Sequence, residues 1–385
     1  MELFSSEIES RLHSNNDNPF FILNVNDIRT KIKKWKQTIP RAIPYYAVKC
    51  NDNELVLKVL AENGTGFDCA SKNEISKVLK LGVDCEKIIY SNTVKQISHL
   101  KYAAKMMVQK VTFDSVEELE KIKAFHPNAQ VVLRIRFDSN NSIVNLGTKF
   151  GCDPVKTAPK LIELCQKMNM NLIGLHFHVG SWNRNYEIFT QALATIRKLF
   201  NFAETCSIKL NFIDIGGGFI GEDLLLLDLY AKSINAGIND NFPSDKIKII
   251  SEPGRFFVDS AFKLVTQIIL KKLDEEDGRI HYYLNESIYM SFMATFLYNL
   301  KPLTSVIKRS KGKNDFAEEK LSTIWGCSCN SNDKIVDNVM LREMEMGDWL
   351  VFHNMGAYTL SVSTKFNGFQ NNEVLVIDEE RQTEY

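Results

Sequence analysis

At 385 residues the chain exceeds a typical single domain, so one large domain with a smaller companion is expected. It is 44% hydrophobic and 24% charged, and its 47 basic residues balance 47 acidic ones, which leaves no global field to recruit nucleic acid or an anionic membrane. No apolar run reaches the ~18 residues of a membrane span, and the opening MELFSSEIES lacks the basic-then-apolar order of a signal peptide.

Eight cysteines (Cys50, Cys69, Cys85, Cys152, Cys165, Cys206, Cys327 and Cys329) form no CxxC pair. They read neither as a disulfide framework nor as a zinc site, so no metal is expected and a reducing cytoplasm is the expected compartment. In chain order, FFILNV (20–25) predicts a short strand. Eight further strands follow: YYAVK (45–49), GFDCA (66–70), KIIYS (87–91), KVTFD (110–114), QVVLRI (130–135), LIGLHFHV (172–179), LNFIDI (210–215) and IKIISE (247–252). Amphipathic stretches separate nearly all of them. NELVLKVLAENG closes on Gly64, and SVEELEKIKAF opens on a capping-box pair, Ser115 and Glu118. This alternation means parallel strands, and eight such units fit a (β/α)8 barrel over residues 25–262, with a doubly wound sheet as the alternative.

Beyond residue 263 the texture changes to β-rich runs without intervening amphipathic helices. FKLVTQIILKKL, IHYYLN, STIWGC, DWLVFHN and NEVLVID predict an antiparallel β domain built from 1–24 and 263–385. The charged insert at 308–320 reads as a solvated loop.

In a barrel of this kind the chemistry collects at the C-terminal strand ends. There the sequence places Lys49, Asp68, Asp114, Arg134, His178, Gly216 to Gly218, and Glu252 followed by Pro253, Gly254 and Arg255. One charged strand end would be ordinary, since lysines usually sit at solvent. Ionisable groups or glycines at seven of the eight argue for a shared polar pocket. Gly216, Gly218 and Gly221 also fit G-x-G-x-x-G, but no acidic residue closes a following strand at the distance a dinucleotide site requires. A phosphate cradle after the seventh strand explains the glycines with fewer assumptions. A Schiff-base lysine, a phosphate cradle and a carboxylate at Glu252 together fit pyridoxal 5'-phosphate, whose ring nitrogen needs a partner. Arg255 can reach phosphate oxygens from the same loop; by itself Glu252 would read as its surface ion-pair partner. Of the two histidines in GLHFHVGS, His178 is assigned to the barrel mouth and His176 to the core.

Taken with PYYAVKCN, GTGFDCASKNE, KQISHLKYA, FHVGS, DIGGGF, SEPGRFFV, IWGCSC, GDWLVFHNMGAYT and FNGFQ, these residues resemble the eukaryotic ornithine decarboxylase family of fold-type III pyridoxal-phosphate enzymes over nearly the whole chain. The resemblance implies a (β/α)8 barrel with a β domain, and decarboxylation of L-ornithine to putrescine by a homodimer with shared active sites. It implies that Lys49 bonds covalently to the cofactor and that His178 stacks on its ring. Ser181, the glycines at 216–218, Arg255 and Tyr358 would hold the phosphate, Glu252 would pair with the ring nitrogen, and Asp68 and Arg134 would lie near the cofactor. Cys329 falls on the family's proton donor, contributed across the dimer interface, and Lys149 and Asp333 on an inter-subunit ion pair. Two carboxylates of the family pattern are amides here, Asn330 and the Asn299 that follows Tyr298. A charged acceptor contributes ~1.5–3 kcal/mol against ~0.5–1.5 for a neutral one, so each amide is expected to weaken binding of the substrate's distal amine by roughly tenfold.

Two further readings stay open. One is a catalytically silent relative that binds antizyme, since 95–115 resembles the family's antizyme-binding element. The other is a sister decarboxylase for lysine, arginine or diaminopimelate; a racemase is disfavoured because Glu252 makes the ring a strong electron sink. After FNGFQ only a short polar stretch follows, so the long degradation tail of some relatives is not expected.

Overall fold

The computed structural model describes residues 6–14, 16–138, 142–300, 302, 304–307 and 318–380. Its contacts divide the chain into two compact units, Arg29–Phe257 and the combination of Met1–Ile28 with Val258–Tyr385. In chain order the first strand, β1 (Phe20–Asn24), belongs to the second of these.

The 29–257 unit is a closed parallel barrel of eight strands. They are β2 (Ala42–Ala47), β3 (Gly66–Cys69), β4 (Ile88–Tyr90), β5 (Lys110–Phe113), β6 (Gln130–Arg136), β7 (Asn171–His178), β8 (Phe212–Asp214) and β9 (Lys248–Ser251). The ring closes where Ala42, Ile43 and Pro44 pair with Ile249, Ile250 and Ser251. All eight predicted strands are present. One boundary differs in a way that matters: β2 stops at Ala47, and Val48–Cys50 form a single 3-10 turn. Lys49 therefore leaves the strand on a turn instead of lying in its last register position.

Helix starts follow local chemistry. Asn53 Oδ1 accepts from the Leu55 and Val56 N–H groups, capping the helix Glu54–Glu62. Ser115 Oγ accepts from the Glu118 N–H at 3.2 Å, the forward half of the expected capping box. The return half is missing. Glu118 is buried and turns instead to Lys95, whose ammonium lies 2.8 Å away with no exposure.

Side chains two apart on a strand share a face, so barrel positions stack in layers. Tyr45, Ile89, Val132, Phe212 and Ile250 pack as one apolar layer. Moving two residues toward the C-terminal ends from Val132, Phe212 and Ile250 gives Arg134, Asp214 and Glu252, all buried. The switch from apolar to ionisable side chains thus occurs within one step along the barrel axis.

The other unit contains β10 (Phe262–Leu273), β11 (Ile280–Leu284), β12 (Thr304–Ile307), β13 (Glu319–Trp325), β14 (Lys334–Arg342), β15 (Trp349–Phe352) and β16 (Glu373–Ile377). The strand path runs β12-β15-β10-β11-β13-β14, and β1 joins it by pairing with β10 and β16. Pairing is antiparallel except at β1–β16 and β11–β13. A core of Phe20, Ile22, Val265, Trp349, Val351 and Leu375 takes in Ile8 and Leu12 of the helix Ser6–His13. Strands β12 and β14 are not foreseen in the sequence. Most of the predicted charged insert, 308–317, lies outside the described residues. No described helix is long and apolar enough to cross a membrane.

Candidate active site

The barrel's C-terminal end gathers Lys49, Asp68, Arg134, His178, the 216–218 glycines and Glu252. The Lys49 side chain is 42% exposed, and its ammonium pairs with the carboxylate of the fully buried Asp68. Burial, then the charge of Glu252, raises Asp68 to about 7, and Lys49 only partly offsets this. Asp68 therefore feels both Lys49 and Glu252, and its second oxygen, Oδ1, is buried without a hydrogen-bond partner. Arg134 on β6 is buried with its guanidinium 5.0 Å from the centre of the Phe150 ring. Desolvation lowers its pKa, and the carboxylates of Glu252, Asp114, Asp214 and Asp68 oppose that.

His178 ends β7, and its Nδ1 accepts the Gly180 N–H at 3.0 Å. Desolvation, then the charges of Arg134 and Lys49, hold its pKa well below the ordinary value, so the ring is neutral with its proton on Nε2. Ser181 is fixed by backbone pairing, its N–H donating to the Val144 carbonyl at 3.0 Å.

The glycine run after β8 is a close-approach loop. Gly218 has φ +107, and a Cβ there would lie 2.3 Å from the Gly180 carbonyl oxygen. A Cβ on Gly217 would lie 2.5 Å from the Glu252 carbonyl oxygen. Only bare backbone fits, which is what a cradle of N–H groups around an anion requires. The Gly216 N–H is already used, donating to Asp214 Oδ1 at 2.8 Å. After β9, the Pro253 carbonyl accepts the Ala47 N–H at 3.3 Å, and the Gly254 carbonyl accepts that of Phe257 at 3.2 Å. Arg255, which follows, is buried and stacks on the Trp182 ring with Cζ 3.3 Å from its centroid. Trp182 holds a left-handed φ of +51, uncommon for a bulky residue, and is 9% exposed.

Three participants escaped the sequence reading. His176 is buried in the core as expected, but it also belongs to this site. It lies two positions before His178 on the same face of β7, in register with Arg134 on β6 and Asp214 on β8. Its Nε2 is 3.4 Å from Glu252 Oε2. Asp214 is wholly buried, and desolvation followed by the Glu252 charge raises its pKa well above the ordinary value. Glu74, raised by burial and accepting the Ala70 N–H at 2.6 Å, adds a third carboxyl near Lys49. Period-two spacing from the strand ends was the available signal for the first two.

The remaining candidates belong to the β unit. Cys329 is exposed, and its N–H donates to Asn367 Oδ1 at 2.8 Å. Asn330 Nδ2 donates to the Tyr289 hydroxyl at 2.8 Å. Asp333 is buried and organises this loop: its oxygens accept the Ile288 and Ser328 N–H groups, each at 2.9 Å. Tyr298 is 39% exposed at the end of the helix Met293–Tyr298, and Asn299 caps that helix in the left-handed region. Tyr358 also has a positive φ, +55. In the barrel unit, Lys149 Nζ sits 5.1 Å from the Phe150 ring centre.

The barrel residues fit a pyridoxal-phosphate group on three observations: a half-exposed lysine side chain, a glycine loop that excludes side chains, and a buried carboxylate whose Oε1 has no hydrogen-bond partner, Glu252. Comparison with known proteins agrees. Residues 25–259 match the family described as pyridoxal-dependent decarboxylase, pyridoxal binding domain. Ornithine decarboxylase of Mus musculus is 39% identical, over 98% of this chain and 84% of its own. Antizyme inhibitor 2 of Xenopus laevis is 41% identical, over 92% and 80%. The Paramecium bursaria Chlorella virus arginine decarboxylase bound to agmatine superposes with a TM-score of 0.91 at 36% identity, covering 97% of this chain and all of that one.

Proposed function

The chain belongs to the pyridoxal-dependent decarboxylases, and from that premise we propose that its substrate is L-ornithine, converted to putrescine and CO2 by a homodimer. The observation that carries this reading is the buried site joining Lys49, Asp68 and Glu252, in a chain 39% identical to an ornithine decarboxylase. Pyridoxal phosphate, when bound, supplies an electron-withdrawing ring that accepts the pair released as a carboxylate departs.

The residues have separable tasks in this proposal. Lys49 would anchor the cofactor covalently, and Asp68 would hold the lysine amine by ion pairing. Glu252 would pair with the ring nitrogen, and Pro253 and Gly254 turn the chain from it to Arg255. His178 would stack on the ring, its imidazole oriented by the Gly180 N–H that its Nδ1 accepts. Ser181, Gly216, Gly217, Gly218, Arg255 and Tyr358 hold the phosphate. Arg134 contributes positive charge among the carboxylates of the pocket. As the substrate's Cα–carboxylate bond breaks, CO2 leaves, and the thiol of Cys329 from the partner chain delivers its proton to Cα. An exposed thiolate then regains a proton from water. Tyr298, Asn299 and Asn330 are assigned to the substrate's distal amine.

The eight cysteines are all free thiols, which fits a reducing cytoplasm. A silent antizyme-binding role draws support from the Xenopus laevis relative, and use of arginine from the viral enzyme. Against silence stand Lys49, Asp68, Glu252, Arg255 and Cys329, a complete set for the chemistry. Measured CO2 release from ornithine, lysine and arginine by the cofactor-loaded protein tests the proposal. Ornithine is expected to be turned over fastest. A faster rate on lysine or arginine, or none on any of them, overturns it.

A further inference from the structure

Behind Glu252 lies a cluster that the proposed chemistry leaves unused. His176 and Asp214 occupy neighbouring register positions on β7 and β8, and their polar atoms lie within 4.8 Å of one another and of the Glu252 carboxylate. His176 has no solvent exposure, and neither ring nitrogen makes a well-aligned hydrogen bond; the nearest acceptor to Nε2 is Glu252 Oε2 at 3.4 Å. Asp214 is equally buried. One of its oxygens accepts the Gly216 N–H, and the other, Oδ2, has no conventional partner. On Glu252, Oε1 is likewise buried without one.

Two carboxyl groups in side-chain contact in a barrel core, Asp214 and Glu252, cannot both be anionic without a large cost. One proton shared between Asp214 and Glu252 resolves it. The charges around the pair decide where the remaining negative charge sits. Arg134 adjoins His176 on the next strand, Lys49 and Asp68 face the same space, and His178 lies one step above. Asp214 is the carboxyl pushed well up by burial and by Glu252, so it is the protonated partner. Burial, then Arg134, pushes His176 well down, so its ring is neutral and carries a single N–H.

We propose that His176 and Asp214 are positioning residues, two neutral donors that fix the Glu252 carboxylate in place and keep its charge directed at the cofactor's ring nitrogen. An O–H on one side and an N–H 3.4 Å away on the other limit the carboxylate's rotation. Its charge is therefore available to keep the pyridine protonated. The inference rests on Glu252 being the ring-nitrogen partner, and its test separates the two claims.

The test loads the dimer with cofactor labelled with 15N in the ring and follows the nitrogen signal against pH by NMR, with kcat and KM for the substrate measured alongside. His176→Phe removes the N–H, and the pH at which the ring nitrogen loses its proton is expected to fall by about one unit, with kcat down about tenfold and KM unchanged. His176→Gln restores a donor and is expected to recover most of both. Asp214→Asn mimics the neutral acid, keeps an acceptor for Gly216, and is expected to leave the midpoint within about 0.3 unit of the parent.

Glu252→Ala separates the premises. If it leaves the nitrogen signal unmoved, Glu252 is not the partner and both claims fall. If Glu252→Ala moves the signal while His176→Phe does not, the positioning role alone is overturned. An Asp214→Asn signal as displaced as that of Glu252→Ala overturns the neutral donor. Should His176→Phe fail to fold, the parent's own His176 ring decides. A proton on Nε2 that shifts in Glu252→Ala supports the proposal, and a proton on Nδ1 overturns it.

Discussion

The barrel mouth and the 326–333 loop of the β unit each carry a side chain with a proposed chemical role, Lys49 and Cys329, and they hold it by opposite means. At the barrel mouth Lys49 is surrounded by ionisable groups on rigid strands, and Asp68, Arg134, His176, Asp214 and Glu252 are all buried. Burial and charged neighbours shift Asp68, Arg134, His176 and Asp214. In the loop, Cys329 is exposed and stands among groups that hydrogen-bond mainly to backbone, with one buried carboxylate, Asp333, as the organiser. The barrel prepares charge, and the loop prepares only shape. A site that must stabilise a charged ring has to be built where water is excluded, whereas a residue that delivers one proton benefits from access to solvent for its renewal.

That contrast can be broken at several points. The largest effect is expected from Cys329→Ala, which should lower CO2 release by about 10²–10⁴-fold, the range of a positioned proton donor, while cofactor absorbance stays normal. Mixing it with Lys49→Ala chains should restore about a quarter of the activity if each site draws on both chains of a dimer, and none if each chain works alone. Next comes Asp333→Ala, which strands two backbone N–H groups and should cost about 2–4 kcal/mol in denaturant unfolding. The Trp182 stack on Arg255 is a smaller contribution. Trp182→Ala should weaken cofactor retention in dialysis by about thirtyfold, in line with a desolvated cation–π contact of about 2 kcal/mol. Trp182→Gly should lose the same contact while relieving the left-handed backbone.

Last, Asp68 gives the barrel a pH signature. Its folded value of about 7 lies above its ordinary 3.8, so the native state binds the extra proton between those values. Stability of the cofactor-free protein should therefore fall as pH rises from about 4 to about 7, and Asp68→Asn should flatten that slope in thermal melts.

The barrel was legible because its strands are apolar runs buried on both faces, and the polar residues that interrupt them at the C-terminal ends stood out. Lys49 was found at such an end even though β2 stops two residues earlier, because the 3-10 turn keeps it in the same neighbourhood. His176 and Asp214 were hidden for the opposite reason. Their period-two spacing was a weak signal by itself, and it gains meaning only once the neighbours on adjoining strands are known. In the β unit the two unforeseen strands, β12 and β14, are the two ends of the strand path. Edge strands bury one side at most, so β14 reads as KIVDNVMLR, with charge and a left-handed Asn338 breaking any apolar run. The Asn330 contact to Tyr289 was equally unreadable, since it joins residues far apart in sequence.

The placement of β1 has a consequence for the order of assembly. FFILN is made early, before any barrel strand, yet its partners β10 and β16 come after the barrel, with β16 the final strand described. During synthesis the barrel segment can close while this apolar pentapeptide still waits with both hydrogen-bonding edges open. The nascent chain therefore carries an unpaired apolar stretch until β10 and β16 have emerged, which makes that stretch the natural target for a holdase at the ribosome.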